Sequence, residues 1–384
     1  MTEKRSVIIY GGSFDPPHKG HIAMAAAALR QLRPHRLLFV PGFRTPFKDL
    51  KPVPFGARAA LLKAALAEGG LGGRPDVRIS AFEAGLRRTV YTWETVAHFK
   101  RLYPRRRLLF LLGSDCLKDF KGWQRSGFIL EHAELLAGLR PGYALPARGV
   151  PYIALAGSFP RAASTGLRGA LFTGGRPREL HRAVLEFIAK KGLYLARERA
   201  ALAKLVTPAR YRHSLATARL ALELAPSAGV PPQQAALAGL LHDCARDLSP
   251  AALAAYCRKR VPQTPLLKEI IKEAPVLLHT CAGAARAREL FGVTDPEVLE
   301  AIELHAAGAP GMGPLARLIY LCDLAAPGRG FPESGLVREL AFKDLAAAFR
   351  AANYVKLVYA FSGGGWVHPG SVALWNSLQE KKKE

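Results

Sequence analysis

Residues 7–21 read Val-Ile-Ile-Tyr-Gly-Gly-Ser-Phe-Asp-Pro-Pro-His-Lys-Gly-His, an apolar run that breaks at two glycines and leads into an alanine-rich stretch. The apolar residues ahead of the turn predict a strand, and the segment after His18 predicts a helix. Glycines at a strand exit let backbone approach a phosphate, and a helix N-terminus offers free N–H groups and partial positive charge to an anion. His18 and His21 are three apart, so both can face one phosphate from the first helical turn. The string therefore predicts an α/β domain whose first strand-to-helix turn binds phosphate.

Working outward, short apolar runs alternate with helical stretches from Val7 to Leu195. SVIIYGG, RLLFVPG, DVRIS, RLLFLLGSD, AELLAGLRPG and PYIALAG each end in glycine, proline or a polar turn. This is the pattern of βαβ units and a Rossmann-like parallel sheet, with ligands expected at the carboxyl ends of its strands. Beyond Leu195 convincing strands are missing, and Leu202–Ala225, Pro232–Asp247, Pro250–Lys259, Thr280–Leu290, Pro296–His305 and Leu315–Leu324 are predicted helices. The predicted fold class is α/β then all-α, with domains at 1–197 and 198–384 and the boundary in the charged connector near Arg197–Val206. A length of 384 residues agrees with two cores.

Apolar residues at 49% and charged residues at 22% describe a globular protein rather than a disordered or fibrous one. The five cysteines form no CxxC pair and read as reduced thiols of a cytoplasmic protein without structural disulfides. The N-terminus runs from a short charged leader into a strand, without the pattern of a signal peptide, and no apolar run is long enough to span a bilayer. The net charge of +25 is uneven: residues 1–200 hold 34 Lys+Arg against 14 Asp+Glu, leaving +5 for the remainder. A basic N-terminal half suits polyphosphate substrates, as it would suit nucleic acid or an arginine-rich proteome.

The string GGSFDPPHKGH resembles the opening motif of nucleotidyltransferases with an HxGH signature, and specifically of bacterial nicotinate-nucleotide adenylyltransferase. Further segments agree in order: Thr45-Pro-Phe-Lys48, Thr89-Val-Tyr-Thr-Trp-Glu-Thr95, Gly113-Ser-Asp115 with Trp123, Ser164-Thr-Gly-Leu-Arg168, and Phe187–Tyr194. The resemblance spans residues 5–196 and implies transfer of AMP from ATP to the 5′-phosphate of nicotinate mononucleotide. That in-line displacement at phosphorus needs positioning and charge stabilisation rather than a protein nucleophile. It further implies that His18 and His21 contact the ATP phosphates, that Lys48 and Arg168 neutralise phosphate charge, and that Gly11, Gly12, Ser13, Phe14, Gly113, Asp115, Ser164 and Thr165 form the nucleotide site. Thr89, Tyr91, Thr92 and Trp123 fall on the substrate side, where Trp93 or Trp123 either stacks on the pyridine ring or belongs to the core. Mg2+ accompanies ATP, held largely by phosphates and water.

The second half carries His213, His242, His279, His305 and His368, with one adjacent pair, His242-Asp243, and Asp323 on a separate predicted helix. Imidazole and carboxylate groups on several helices can converge on divalent metals inside a bundle. The order His213, His242-Asp243, His279, His305, Asp323 resembles a YqeK-type HD-domain hydrolase, which cleaves diadenosine tetraphosphate symmetrically to two ADP. Arg210-Tyr-Arg-His-Ser214, Leu241-His-Asp-Cys-Ala-Arg246, Gly311-Met-Gly313, Leu321-Cys-Asp-Leu-Ala325, Pro327-Gly-Arg329 and Val367-His-Pro369 support it. The resemblance implies one metal on His213, His242, Asp243 and Asp323, with Asp243 bridging to a second on His279 and His305. Iron is the expected metal, with manganese or another divalent ion the alternative, and Arg246 is a candidate for substrate phosphate. The segment His305-Ala-Ala-Gly308 departs from the family, which often places hydroxyl residues there, and this bears on substrate contacts.

The expected partners are small nucleotides, namely ATP, nicotinate mononucleotide and diadenosine tetraphosphate, with no membrane and with a homo-oligomer left open. Two competing readings remain. One keeps both folds with other substrates: phosphopantetheine at the first site, and guanosine polyphosphates or cyclic dinucleotides at the second. The other is a basic RNA-binding regulator, against which stands the lack of aromatic ladders beside runs such as Arg105-Arg-Arg107.

Overall fold

The computed structural model describes residues 6–43, 53–139, 150–160, 162–330 and 332–379. Lys48 lies outside the described residues, and of Asp115 only the backbone is described. The chain divides into two compact units, one formed by Met1–Ala170 with Arg176–Leu193, the other by Leu171–Gly175 with Tyr194–Glu384.

The first unit is a six-stranded parallel sheet of β1 (Val7–Gly12), β2 (Arg36–Pro41), β3 (Val77–Ile79), β4 (Leu108–Gly113), β5 (Glu134–Gly138) and β6 (Tyr152–Leu155). All six predicted strands are present. Their spatial order is β3-β2-β1-β4-β5-β6, so the chain reverses its direction of travel across the sheet between β1 and β4. In open parallel sheets the crevice at that point is where ligands bind. The strands are near-continuous Val, Ile, Leu and Phe because both faces are covered. Val7, Ile8, Ile9, Leu109 and Leu111 are fully buried. The covering helices are α1 (Lys19–Leu32), α2 (Phe55–Glu68), α3 (Phe82–Leu86), α4 (Thr92–Leu102), α5 (Ser114–Lys118), α6 (Ser126–His132), α7 (Ser164–Phe172) and α8 (Arg182–Lys191).

Among its described residues the second unit has helices and no strand. These are α9 (Ala196–Leu202), α10 (Pro208–Leu224), α11 (Pro232–Leu241), α12 (Pro250–Arg260), α13 (Pro265–Glu273), α14 (Leu278–Phe291), α15 (Pro296–Leu304), α16 (Pro314–Ala325), α17 (Ser334–Ala341), α18 (Leu345–Ser362) and α19 (Pro369–Gln379). Two predicted spans are corrected. Leu202–Ala225 is not one helix, because Thr207 caps a new helix by accepting from the Arg210 amide and Pro208 occupies its first position. Pro232–Asp247 ends as a helix at Leu241, since the Cys244 and Arg246 amides turn back three residues, to Leu241 and Asp243. The His242-Asp243 pair thus sits where a helix opens into turns rather than within it. Helices α13, α17, α18 and α19 go beyond the predicted set. No described helix is long and apolar enough to cross a membrane.

Candidate active sites

At the first site, β1 delivers the chain through the loop 13–17 to His18, the N-cap of α1. The two histidines cap the helix reciprocally: His18 Nδ1 accepts from the His21 amide at 3.4 Å, and His21 Nδ1 accepts from the His18 amide at 3.2 Å. Their rings stack at 3.6 Å. An Nδ1 that accepts a backbone N–H leaves Nε2 as the protonated nitrogen of a neutral ring, so each histidine is set as an Nε2–H donor.

The late motif is stapled to this loop. Arg168, 6% exposed, donates to the Asp15 carbonyl at 2.6 Å and to Thr165 Oγ1 at 3.2 Å, and Ser164 Oγ donates to the Pro16 carbonyl. Arg168 in this structure therefore holds the loop that carries His18. Phe14 is fully buried with rings of Tyr10, His21 and Phe39 around it, so only its backbone can serve a ligand. Gly11 and Gly12 leave room for aromatics: a Cβ on Gly11 would meet Phe110 at 3.0 Å, and one on Gly12 would meet Phe14 at 3.2 Å. Gly113 ends β4, next to β1, and Asp115 follows in α5.

Of the residues expected on the substrate side, Tyr91 caps α4, and the Glu94 carboxylate accepts from the Tyr91 amide at 2.9 Å; Thr92 is the first helical residue and Thr89 precedes the cap. Trp123 packs partly buried against Phe110 and Phe120 of the core. Trp93 donates to Gln124 Oε1, and the Arg125 guanidinium lies 4.3 Å from its ring centre.

At the second site six side chains from α10, the α11 exit, α14, the α15 exit and α16 converge. His213 Nε2 lies 3.2 Å from His242 Nε2 and 3.2 Å from Asp323 Oδ1. His279 Nε2 lies 3.2 Å from His305 Nε2, and both are 3.5 Å from Asp243 Oδ1. The other Asp243 oxygen, Oδ2, faces His242 Nε2 at 3.6 Å. Two groups thus have metal-ligand spacing, His213–His242–Asp243 and Asp243–His279–His305, with Asp243 common to both. The Nδ1 atoms of His242, His279 and His305 donate to the carbonyls of Gly239, Val276 and Ile302 at 2.8, 2.5 and 2.7 Å. That fixes each ring and turns Nε2 inward, as outer partners of metal-binding histidines do.

Residues 9–212 match the cytidylyltransferase-like family, and residues 210–327 match the HD domain. The chain belongs to the cytidylyltransferase-like family and continues into an HD domain. A Mycoplasma pneumoniae protein named "Probable nicotinate-nucleotide adenylyltransferase/Ap4A hydrolase" is 29% identical over 360 residues, covering 91% of this chain and 98% of its own. A Thermus thermophilus "Probable nicotinate-nucleotide adenylyltransferase" is 35% identical and matches 48% of this chain and 97% of itself. For the HD half, a Halalkalibacterium halodurans "Bis(5'-nucleosyl)-tetraphosphatase, symmetrical" is 30% identical over 46% of this chain and 93% of its own length.

The HD domain implies a divalent metal, and the protonation states of its residues fit one. Burial alone would raise the Asp243 carboxyl, but His242, His305 and His279 outweigh it and hold it well below the usual range. Burial is likewise outweighed at Asp323 by Lys356 and Arg329, which keep that carboxyl ionised. Burial lowers His279 to about 3, with the His305 ring adding to it, and burial lowers His213 and His305 as well. Ionised carboxylates and neutral imidazoles are the forms that bind metal. His242 differs: burial would lower it, but Asp243 and Asp323 raise it overall.

The sequence assigns no role to three cations at this cluster, although Arg210 and Arg329 stand in the motif strings. Arg210 pairs with Asp243 Oδ2 at 2.7 Å, Arg329 pairs with Asp323, and Lys356 on α18 reaches Asp323 Oδ2 at 3.2 Å and the His305 carbonyl at 2.6 Å. Arg210 stands one helical turn before His213, a spacing that could have marked it. Lys356 comes from a helix past the matched HD segment and has no local signal. Arg246 makes a 3.4 Å contact to the Val276 carbonyl, His368 belongs to neither metal-spaced group, and Asp323 joins neither, meeting the cluster through His213 and His242.

Proposed function

We propose that the chain is bifunctional: its first unit transfers AMP from ATP to nicotinate mononucleotide, and its second hydrolyses diadenosine tetraphosphate to two ADP. The observation that carries this reading is the pairing of two sites in one chain. Two mutually capped histidines carry Nε2–H donors at the β1–α1 turn, and one aspartate shares its oxygens between two groups of metal-ligand spacing. The near-full-length likeness to a protein named for both activities supports it.

In the first unit the substrate's own 5′-phosphate oxygen attacks the α-phosphorus of ATP, and the bond to the leaving pyrophosphate breaks. His18 and His21 donate from Nε2 to the phosphate oxygens as charge moves onto the leaving group. Lys48 and the Gly11–Gly12 backbone add donors, Thr165 supplies a hydroxyl, and Arg168 acts by holding the loop through Asp15. Mg2+ enters with ATP. Thr89, Tyr91, Thr92 and Trp123 bound the nicotinate side, and Asp115 the nucleotide side.

In the HD domain, His213, His242, Asp243 and Asp323 would hold one metal, and Asp243, His279 and His305 the other. Iron or manganese bound there would supply Lewis acidity toward the phosphate and toward the water. Lys356 and Arg329 keep the Asp323 carboxylate ionised, and with Arg210, which pairs with Asp243, they add positive charge where a polyphosphate chain of four negative groups must lie. Water attacks phosphorus beside the central bridging oxygen, and cleavage of that P–O bond leaves two identical products.

The test is hydrolysis of diadenosine tetraphosphate by the metal-replete chain, resolving ADP from AMP plus ATP, beside dinucleotide synthesis from ATP and nicotinate mononucleotide. ADP as sole product, lost in Asp243→Ala but retained in His18→Ala/His21→Ala, and synthesis with the reverse dependence, are expected. Synthesis surviving the double histidine change, or AMP plus ATP as products, would overturn the corresponding half.

A further inference from the structure

The HD domain brings two thiols together outside the histidine–aspartate cluster. Cys257 on α12 and Cys281 on α14 bring their sulfurs to 3.6 Å. Cys257 is fully buried, while Cys281 is partly exposed and lines a cavity of about 340 Å³ with Leu277, Thr280, Glu303 and Gly308. Helical geometry, about 100° per residue, puts Cys281 on the side of α14 opposite His279, so this cavity lies behind the metal-facing surface of the helix.

We propose that Cys257 and Cys281 are a peroxide-responsive dithiol that closes to a disulfide and couples the state of α14 to metal retention at His279. A disulfide requires sulfurs about 2.05 Å apart, so closure needs a relative approach of roughly 1.5 Å rather than a rearrangement of the fold. The cavity admits a small hydroperoxide to Cys281. The thiolate sulfur of Cys281 attacks one peroxide oxygen, the O–O bond breaks, and water or an alcohol departs after taking up a proton, leaving a sulfenic acid. The Cys257 sulfur then attacks Cys281 Sγ, the S–O bond breaks, and a second water leaves carrying the Cys257 proton. Two thiols have lost two electrons and the peroxide has gained them.

The disulfide would tie α12 to α14 across 24 residues of sequence. His279 is two residues before Cys281 on the same helix, and its ring is anchored to the Val276 carbonyl in the 3-10 turn Pro275–Leu277 that leads into that helix. A displacement of α14 toward α12 therefore moves a ligand of the second half-site. The coupling rests on the metal reading proposed above; the disulfide does not.

The test treats the full-length chain, loaded with Mn2+, with equimolar hydrogen peroxide, then maps thiols by alkylation and mass spectrometry. The exposed Cys116 serves as the comparison thiol. A Cys257–Cys281 cross-linked peptide, with a mass loss of about 2 Da and reversal by dithiothreitol, is expected before Cys116 is modified. Cys257→Ala should stop the reaction at a trapped sulfenic acid on Cys281, and Cys281→Ala should abolish it; either variant alone suffices if the other fails to fold. Mn2+ retained through dialysis should fall at least twofold in the oxidised chain and recover on reduction. Faster oxidation of Cys116 with the pair intact would overturn the dithiol, and unchanged Mn2+ retention in the disulfide form would overturn the coupling.

Discussion

Glu83 is a carboxylic acid inside the first unit, 9% exposed, whose Oε1 accepts from Thr95 Oγ1 at 2.7 Å. Burial raises it from the ordinary 4.5 to about 7, against the Thr95 hydrogen bond, with Glu94 adding to the rise and Arg58 opposing it. At 1.36 kcal/mol per unit, a shift of that size amounts to about 3 kcal/mol. The sign follows from linkage: the folded state holds the proton to higher pH, so the contribution is fully present below pH 4.5 and is lost as pH rises through 7. Glu83→Gln keeps an acceptor for Thr95 and cannot ionise. The variant should therefore gain stability relative to the parent as pH rises from 4.5 to 8, by about 3 kcal/mol. The assay is urea unfolding followed by Trp93 and Trp123 fluorescence, in a Trp366→Phe, Trp375→Phe background that silences the second unit. Parallel stability profiles for parent and variant across that range would refute the reasoning, since they would mean that Glu83 ionises alike in folded and unfolded chains. Glu83 lies on α3, and Thr95 on α4 follows the Thr89–Thr92 segment, so the same substitution should leave nicotinate-side binding intact at pH 6.

Arg58 is 1% exposed and donates to the carbonyls of Ser13, Gly42 and Val53 at 2.7, 2.6 and 2.6 Å, clamping the chain beyond both β1 and β2. Arg58→Met should cost about 3–5 kcal/mol of first-unit stability by leaving buried carbonyls unpaired, and should raise KM for ATP more than it lowers kcat; denaturant unfolding and steady-state kinetics check both. Gly239→Ala would place a Cβ 2.8 Å from the Ala218 Cα, backbone against backbone between α10 and α11, the helices that position His213 and His242. A loss of about 1–3 kcal/mol and weaker metal binding are expected from calorimetry, and a neutral effect on both would show that the helices separate freely. Because Asp243 and Asp323 raise His242 above its ordinary 6.5, metal must displace a proton there. Mn2+ affinity should therefore climb as pH rises through that raised value, with a proton released on binding below it in titration calorimetry.

The sequence alone determined what depends on short-range pattern. Apolar runs of strand length ended by Gly, Pro or a polar turn set six strands and their parallel class, because a βαβ alternation has few other ways to bury both sheet faces. The Tyr10–His21 string marked the turn from β1 to α1, since strand exit, glycines and helix start are all local. The ligand candidates His213 through Asp323 were legible as residue types in order along the chain. Helix ends were less legible: Pro208 marks a helix start, whereas the unwinding after Leu241 has no local signal. Only the tertiary structure decided which groups share charge. It turned Arg168 onto the Asp15 carbonyl, buried Phe14 among aromatics, and delivered Arg210, Arg329 and Lys356 to two carboxylates. Lys356 and Asp323 are 33 residues apart, and Cys257 and Cys281 are 24 apart. Helical period sets which face each residue occupies, but the packing of separate helices sets which faces meet, and no one-dimensional pattern contains that choice.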